Sequence, residues 1–186
     1  MKNLISKILL KCRKLKYSFF STNSNLLGTY IAHQPVVCRG KGTITFGNNV
    51  NMGVINAPYF YNEYAYLEAR NQDASLLFGN NIHINNGFSA IAEKSIVIED
   101  DVLIGYHCNI IDSDFHNLNP EKRNETDPNP KEVIIKKNVF IGNNVTILKG
   151  VVLGENSVVA NGAVVSKSFP ENVVIGGVPA KIISKL

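Results

Sequence analysis

The residues best suited to chemistry lie in the run from Asp112 to His116, which reads Asp-Ser-Asp-Phe-His. An imidazole close to carboxylates can take up and release protons near neutral pH. The stretch that follows, residues 117–132, is polar, with three prolines and Leu118 as its one aliphatic residue. His116 therefore begins a segment unlike a core element, and we expect its side chain to be accessible. By residue type alone, an accessible loop histidine need not be catalytic.

Short strands and turns must position this segment, because branched aliphatic residues, here called anchors, recur every six residues. Their positions are Ile135, Ile141, Ile147, Leu153, Val159 and Val165, with a shorter series at Ile98, Ile104 and Ile110. Gly follows the anchor at positions 105, 142 and 154. A helix with a 3.6-residue period cannot hold this phase, and a plain strand alternates with period two. A period of six predicts short strand, turn and short strand, which is the pattern of a β-helix.

If three hexads make one coil, residues 18 apart stack at about 4.8 Å. The predicted stacks are Ile135 on Leu153, Ile141 on Val159, Ile147 on Val165, and at the turns Asn138 on Asn156 and Asn143 on Asn161. Stacked asparagines can form hydrogen-bonded ladders. The period alone leaves open how many hexads make a coil and which hand the coil has.

The repeated order of aliphatic, Gly, two variable, small and variable residue resembles the hexapeptide-repeat acyltransferases over about residues 44–181. The resemblance implies an all-β solenoid, a left-handed parallel β-helix of about five coils with a short N-terminal helix and an external loop. We expect residues 1–27 to be a basic helical appendage and residues 28–186 to be the β-helix. Insertions are expected near residues 56–75 and 117–132, where the register breaks.

The Asp-Ser-Asp-Phe-His run followed by an excursion is similar to the galactoside, maltose and polysaccharide O-acetyltransferases, whose histidine at this place is the catalytic base. The resemblance implies that His116 removes a proton from a sugar hydroxyl, a role typically worth about 10²–10⁴ in rate. Asp114 is the expected catalytic partner that orients the imidazole, with Asp112 or a backbone carbonyl as alternatives. A backbone N–H of a neighbouring subunit could stabilise the oxyanion. Direct transfer is favoured, because the nearby thiol of Cys108 falls at an inward position.

The same resemblance implies acetyl-CoA as the acyl donor and no metal. The implied cofactor-binding residues are Phe140, Gly142, Asn143, Asn161, Ser166, Lys167 and Lys181. Phe140 stands where the family commonly has a Trp, so an aromatic wall is kept but an indole donor is lost. Lys181 ends a Gly-Gly-Val-Pro-Ala-Lys motif and would bring a point charge to the nucleotide phosphates. Family members are homotrimers with the cofactor between adjacent coils, so one subunit would hold an incomplete site.

The acceptor is expected to be a saccharide, in surface polysaccharide or O-antigen biosynthesis. The alternative is an N-acetyltransferase of a nucleotide-linked amino sugar, but residues 1–43 lack a Gly-rich nucleotide-binding fingerprint. The tyrosine-rich segment 59–66 could stack on sugar rings, although packing of amphipathic aromatic side chains explains it equally well.

Two other classes of protein are less favoured. Some left-handed β-helices are zinc carbonic anhydrases, but the histidines at 83, 107 and 116 are 24 and nine residues apart, which does not fit ligands stacked every 18. The three cysteines, at 12, 38 and 108, form no CxxC pair and indicate small buried side chains. A non-catalytic solenoid would not need a loop that carries a histidine.

The net charge of +4 is unevenly distributed, because residues 1–62 contain eight Lys or Arg and no Asp or Glu. Six of these cations lie in residues 2–16, among apolar residues at roughly helical spacing. The segment predicts a basic amphipathic helix, which either packs on the coil or the trimer or contacts an anionic inner membrane. No apolar run is long enough for a membrane span or a secretory signal. We expect a cytoplasmic protein without a nucleic-acid partner, and peripheral contact with the inner face of the membrane is left open.

Overall fold

The computed structural model describes residues 2–186, with side chains from Leu4 onward. Helix α1 (Lys2–Ser18) precedes six coils of three strands each. Coil 1 contains β1 (Leu26–Leu27), β2 (Tyr30–Ala32) and β3 (Val36–Gly40); coil 2 contains β4 (Thr43–Phe46), β5 (Val50–Met52) and β6 (Ala65–Ala69); coil 3 contains β7 (Ser75–Phe78), β8 (His83–Ile84) and β9 (Ser89–Ala92). Coil 4 contains β10 (Ser95–Ile98), β11 (Leu103–Ile104) and β12 (Asn109–Ile111); coil 5 contains β13 (Val133–Ile135), β14 (Phe140–Ile141) and β15 (Thr146–Ile147); coil 6 contains β16 (Val152–Leu153), β17 (Val158–Val159) and β18 (Val164–Val165). The final strands are β19 (Val173–Gly176) and β20 (Lys181–Lys185).

Each coil gives one strand to each of three parallel sheets, so the section is three-sided. Sheet 1 has the order β1-β4-β7-β10-β13-β16, sheet 2 has β2-β5-β8-β11-β14-β17-β19, and sheet 3 has β3-β6-β9-β12-β15-β18. Strand β20 closes sheet 2 by pairing antiparallel with β19. The predicted solenoid is confirmed. The structure has six coils where about five were expected, because the first coil, residues 26–40, carries no hexad pattern in the sequence.

The anchors form the core of the coil, and the six from Ile135 to Val165 are at most 1% exposed. The three predicted stacks are confirmed: Ile135 pairs with Leu153, Ile141 with Val159, and Ile147 with Val165. Alternate residues of such short strands point inward, so one branched side chain per hexad fills the interior. Three hexads per coil therefore follow from the observed register.

The glycine after an anchor is required by the next coil, which crosses directly over it. A Cβ on Gly105 would lie 2.5 Å from Oδ1 and 2.7 Å from the backbone N of Asn143. Those are the atoms that tie adjacent corners together, since the N–H of Tyr106 donates to the same Oδ1 at 3.0 Å. A side chain at this position would push the coils apart.

One corner of the coil carries an asparagine ladder, as predicted. Nδ2 of Asn138 donates to Oδ1 of Asn156, and Nδ2 of Asn156 donates to Oδ1 of Asn172, both at 2.9 Å. All three residues have positive φ angles, between 56° and 61°. Asparagine suits this corner because it tolerates the left-handed conformation and its amide bridges a strand spacing. Asn143 and Asn161 also stack, but there the backbone N–H of Asn143 donates to Oδ1 of Asn161.

We expect Asn156→Ala to lower the free energy of unfolding by about 1–3 kcal/mol, because it loses two ladder hydrogen bonds and forces a Cβ-bearing residue without local support into φ 61°. Asn156→Gly loses the same bonds but relieves the backbone, so its loss should be smaller. Chemical denaturation of both variants measures the difference. Equal losses would show that backbone conformation contributes nothing here.

Two excursions leave the coil. The tyrosine-rich excursion, residues 53–64, connects β5 to β6, and the following residues 65–69 and 75–78 are strands rather than insertion. The histidine excursion, residues 112–132, connects β12 to β13 and contains one short 3₁₀ turn, Pro120–Lys122. Both begin at corners, where a solenoid accepts extra residues without losing register.

Helix α1 is fastened to coil 1 and to the tyrosine-rich excursion through one side. Nη1 of Arg13 donates to the carbonyl of Phe60 at 2.6 Å, and Nζ of Lys14 donates to the carbonyl of Ala32 at 2.6 Å. Tyr17 packs against Tyr64 with ring centroids 4.8 Å apart. Tyr17 comes four residues after Arg13 and three after Lys14, so these side chains lie on one side of the helix, here called the docked face.

Candidate active site

The histidine excursion folds back on itself, which fixes the place of its polar side chains. The N–H of Asn117 donates to the carbonyl of Glu125 at 2.9 Å, and Oδ1 of Asn119 caps the 3₁₀ turn by accepting from the N–H of Glu121 at 3.0 Å. Asparagine is favoured at such a cap because its side chain replaces a missing backbone partner. The excursion is therefore an ordered projection with His116 near its base.

The imidazole of His116 is exposed and held by a backbone carbonyl. Nδ1 lies 2.9 Å from the carbonyl oxygen of Arg123. A carbonyl oxygen only accepts, so Nδ1 carries the hydrogen and Nε2 keeps its lone pair. Of the three orienting groups that the sequence left open, this carbonyl is the one in contact with the ring. The arrangement presents a free basic nitrogen to solvent, as a general base requires.

Asp112 closes the base of the histidine excursion. Its fully buried carboxylate accepts the N–H groups of Glu93, Lys94 and Ser95 at 2.7–2.8 Å. Burial raises the pKa of this carboxyl, although these three hydrogen bonds oppose the rise. The backbone carbonyl of Asp112 also accepts from Lys131 at 2.8 Å, which joins the two ends of the excursion.

Asp114 forms part of a charged cluster beside the excursion. Nζ of Lys149 lies 2.6 Å from Oδ2 of Asp114 and 2.5 Å from Oδ2 of Asp127. Burial raises the pKa of Asp127, but the hydrogen bonds from Lys149 and from the N–H groups of Asp114 and Asn129 outweigh it and lower the pKa to about 2. The pKa of Lys149 is raised, since the two carboxylates outweigh its desolvation. Asp127 and Lys149 are therefore both charged at neutral pH.

A second layer of contacts ties this cluster to coils 2 and 3. Oγ of Ser113 donates to Glu93 at 2.5 Å, and Oγ1 of Thr126 donates to the other oxygen of Glu93 at 2.6 Å. Arg70 lies 3.6 Å from Glu93, and its guanidinium sits 4.3 Å from the ring centroid of Phe115. The residues on both sides of His116 are thus anchored to the coil.

Of the expected cofactor residues on coil 5, Phe140 and Asn143 line a shallow groove on sheet 2. Phe140 is 48% exposed and pairs in register with Leu103, which is 47% exposed. Asn143 lies at the end of this groove, and Asn85 and His83 lie on its other side. Gly142 is buried below it, and its carbonyl accepts from Sγ of Cys108 at 2.9 Å. The groove has an apolar floor and amide groups at its edge.

The thiol of Cys108 is buried inside the coil, where burial raises its pKa to about 11. A thiol with this pKa is protonated at neutral pH and is a weak nucleophile. Its position, behind the carbonyl of Gly142, also separates it from solvent. The geometry therefore argues against an acyl-cysteine intermediate.

The remaining expected cofactor residues lie on exposed surface toward the end of the solenoid. Asn161 receives the hydrogen bond from Asn143, which places it one coil above the groove. Ser166 and Lys167 follow β18, and Nζ of Lys167 lies 5.6 Å from the ring centroid of Phe169. Lys181 begins β20. Two exposed cations, Lys167 and Lys181, thus follow the groove along the chain.

His116 and the groove occupy different corners of one chain. The histidine excursion leaves the corner between sheets 3 and 1, whereas Phe140 lies on sheet 2 and Asn143 lies on the corner between sheets 2 and 3. The structure therefore brings the groove residues together but does not bring His116 to them. In a three-sided solenoid, surfaces on different corners can meet across a contact between chains.

The tyrosine-rich excursion packs largely on the protein itself. The ring of Tyr59 stacks on His107 with centroids 3.7 Å apart, and Phe60 is buried. Tyr61 stays 66% exposed. Within the described residues 2–186, no group of three or more His, Cys, Asp or Glu side chains is placed to hold a metal ion.

Sequence reasoning missed Arg123, Lys149 and Asp127. Lys149 could have been found from the register, because it comes two residues after Ile147, as Asp112 comes two residues after Ile110. Ile110 and Ile147 pair across β12 and β15, so Asp112 and Lys149 start from the same corner. Arg123 contributes a backbone atom, for which no residue type gives a signal.

Comparison with known proteins shows which family model and which proteins this chain resembles. Residues 132–167 match the family model described as bacterial transferase hexapeptide (six repeats). A protein of Escherichia coli K12 named putative lipopolysaccharide biosynthesis O-acetyl transferase WbbJ is 33% identical over 159 residues, covering 81% of this chain and 76% of that protein. The galactoside O-acetyltransferase of Lactococcus lactis is 34% identical over 113 residues, covering 58% of this chain and 55% of that enzyme. The chain thus spans about half the length of the second relative.

Solved structures show the same fold. The hexapeptide-repeat acetyltransferase VCA0836 of Vibrio cholerae, solved with acetyl-CoA, aligns with a TM-score of 0.52 and 24% identity, over 95% of this chain and 77% of that one. AntD, an N-acyltransferase of Bacillus cereus, aligns with a TM-score of 0.60 and 21% identity, over 97% and 87% of the two chains. At these identities the likeness concerns the fold alone.

Proposed function

Because the chain belongs to the family of hexapeptide-repeat acyltransferases, we propose that it transfers an acetyl group from acetyl-CoA to a hydroxyl of a saccharide. The observation that carries the proposal is the imidazole of His116, with Nδ1–H on the Arg123 carbonyl and Nε2 free. A related protein named as a lipopolysaccharide O-acetyl transferase, alignable over 81% of this chain, supports the class of acceptor. Surface polysaccharide or O-antigen biosynthesis is the corresponding process.

The chemistry assigned to His116 is proton transfer in both directions. Acetyl-CoA supplies the thioester carbonyl and a thiolate leaving group. Nε2 takes the hydroxyl proton as the sugar oxygen attacks the carbonyl carbon, and then returns it to the departing sulfur. The Arg123 carbonyl keeps accepting from Nδ1–H throughout, so the ring stays aligned while it carries positive charge.

The groove and its neighbours suit the donor. A pantetheine chain needs an apolar floor with amide partners, which Phe140, Leu103 and Asn143 offer. Nucleotide phosphates need cations, which Lys167 and Lys181 offer from exposed positions. Asn161 and Ser166 add hydrogen-bonding groups between these two ends. The residues present therefore fit acetyl-CoA without a metal ligand.

We expect Phe140→Ala to raise the KM for acetyl-CoA by about three- to tenfold with a smaller change in kcat, because it removes an exposed aromatic wall that binds the donor equally in ground and transition states. Steady-state kinetics at varied acetyl-CoA measure the split. Leu77→Ala is the matched control, since Leu77 is 41% exposed on sheet 1. Equal effects of both variants would remove Phe140 from the donor site.

The working assembly in this proposal is a homotrimer. Support comes from the separation of His116 and the groove on different corners of one chain, which leaves each chain with part of a site. In the trimer, the histidine excursion of one subunit would meet the groove of its neighbour. Light scattering of the purified protein at working concentration tests the assembly directly.

The acceptor is tested by following free CoA release with a panel of simple sugars, lipid-linked oligosaccharides and nucleotide-linked amino sugars. Acetyl-CoA-dependent transfer to a sugar hydroxyl, identified by mass spectrometry and loss of the product in mild base, supports the proposal. Transfer to an amine only, giving a base-stable amide, would replace the O-acetyltransferase with an N-acetyltransferase.

The proposal also includes a place of action, in the cytoplasm at the inner face of the cytoplasmic membrane, where lipid-linked glycans are assembled. The basic composition of residues 1–62, with eight cations and no acidic residue, supports a negatively charged surface as neighbour.

A further inference from the structure

Helix α1 has a second face that the protein leaves uncovered. Viewed along the axis at 100° per residue, six of its apolar side chains fill one arc of about 140°, whereas Leu10 lies on the opposite side. We call this arc the apolar face; it consists of Leu4, Ile5, Ile8, Leu9, Cys12 and Leu15. Its five aliphatic side chains are 52–65% exposed.

The apolar face points away from the coil. The docked face, which includes Arg13, Lys14 and Tyr17, lies on the opposite side of the helix, where it contacts coil 1 and the tyrosine-rich excursion. Leu9, at the edge of the apolar face, borders a cavity that Arg13 and Tyr61 also line. The other side chains of the apolar face are directed outward by the docking. Phe19 and Phe20, immediately after the helix, are also exposed.

Lysines border the apolar face on both sides. By helical spacing, Lys11 lies at one edge with Lys7 beyond it, and Lys16 lies just inside the other edge, beside Leu9. The helix contains no acidic residue to neutralise them. An outward apolar strip with cationic edges matches the boundary between the headgroups and the acyl chains of an anionic bilayer.

We propose that α1 lies in the surface of an anionic lipid bilayer, with the apolar face among the acyl chains and its bordering lysines on the phosphates. This proposal rests on the proposed location at the inner face of the cytoplasmic membrane, and it names the part of the chain that contacts the lipid. A second copy of the helix is a poorer occupant, because a symmetric face-to-face contact would bring lysine edges against each other. Among the described residues no helix is long and apolar enough to cross a membrane, so α1 would lie along the surface.

The chain contains no tryptophan, so one introduced indole reports its own surroundings. In the full-length protein, Ile8→Trp should show a blue-shifted emission on vesicles of phosphatidylcholine mixed with phosphatidylglycerol, and no shift on phosphatidylcholine alone. Ile183→Trp, at a 64% exposed site on β20, is the matched control and should not shift. An unchanged Ile8→Trp spectrum, or an equal shift on both vesicles, overturns the proposal.

Sedimentation with the same mixed vesicles tests the lysines and the apolar side chains of α1 separately. Lys7→Gln combined with Lys11→Gln should weaken binding by about fivefold per lysine and reduce its salt dependence. Leu4→Ser, Ile8→Ser and Leu15→Ser together should lower binding at least tenfold. If the triple variant instead changes the mass of the assembly, the apolar face is a subunit contact and the proposal fails. Vesicle binding needs no acetyl transfer, so its failure is distinct from failure of the enzymatic proposal.

Discussion

Replacing His116 with alanine is expected to lower kcat for acetyl transfer by about 10²–10⁴ while leaving the KM for acetyl-CoA within about threefold. The reason is that Nε2 is the free basic nitrogen at the base of the histidine excursion, while Nδ1 is held by the Arg123 carbonyl. The side chain is exposed, so the fold should keep its stability. Release of free CoA with the best saccharide acceptor measures the loss.

The His116→Asn variant tests the basic nitrogen of His116 separately from the hydrogen bond to the Arg123 carbonyl. An asparagine amide can still donate to the Arg123 carbonyl, as Nδ1 does, but it offers no basic nitrogen. It should be as inactive as the alanine variant, whereas His33→Ala, at a histidine outside both the excursion and the donor groove, should be fully active. Wild-type rates in His116→Ala, or full rescue by asparagine, would remove proton transfer from the role of this residue.

Lys149→Met is expected to lower the free energy of unfolding by about 3 kcal/mol and kcat by about tenfold. The substitution leaves Asp127, whose side chain is 4% exposed, as a buried carboxylate that has lost its cation, with Asp114 close by. Because Asp114 is two residues from His116, the loss also loosens the base of the excursion. Denaturation and steady-state kinetics measure the two effects. A change in KM for acetyl-CoA without a change in kcat would contradict a positioning role.

Acid titration and two further variants make this test specific. In the wild-type protein the pKa of Asp127 is lowered to about 2, so its stabilising contribution is complete above about pH 4 and declines as the pH falls toward 2. In Lys149→Met the same carboxyl is buried without its cation, so its protonation removes an unpaired buried charge. The loss in free energy of unfolding relative to the wild type should therefore be smaller in acid.

Two control variants complete the test. Lys149→Arg should recover part of kcat. Lys136→Met breaks a more exposed pair with Glu99 and should cost less than about 1 kcal/mol.

The sequence was sufficient for the coil because the repeat encodes its own register. A branched residue every six positions places Ile135, Ile141 and Ile147 below Leu153, Val159 and Val165, and no other stacking buries all six. The corner asparagines followed from the same arithmetic. Coil 1 was not evident because strands β1 and β2 are largely exposed, which leaves no inward pattern to detect.

The candidate site was only partly predictable, for a physical reason. The sequence identified His116 as a candidate catalytic residue, since an imidazole placed just before a polar excursion has few purely structural roles. Its orientation depends on the carbonyl of Arg123, seven residues away across a folded loop, and on Lys149, which is 33 residues away in the chain. Such contacts are set by how the excursion folds, and backbone acceptors carry no signature of residue type.

The two ends of the solenoid, finally, decide whether the protein stays a discrete particle. At one end, the N–H groups of Thr22 and Asn23 donate to the carbonyl of Cys38, so the segment after α1 covers the outer edge of β3. At the other end, β20 pairs along β19, and the N–H of Ala180 donates to Val164. Open edges of stacked parallel strands are templates for further strands. By pairing with parts of these edges, the chain leaves fewer free backbone groups on which coils of separate molecules could stack end to end into fibres.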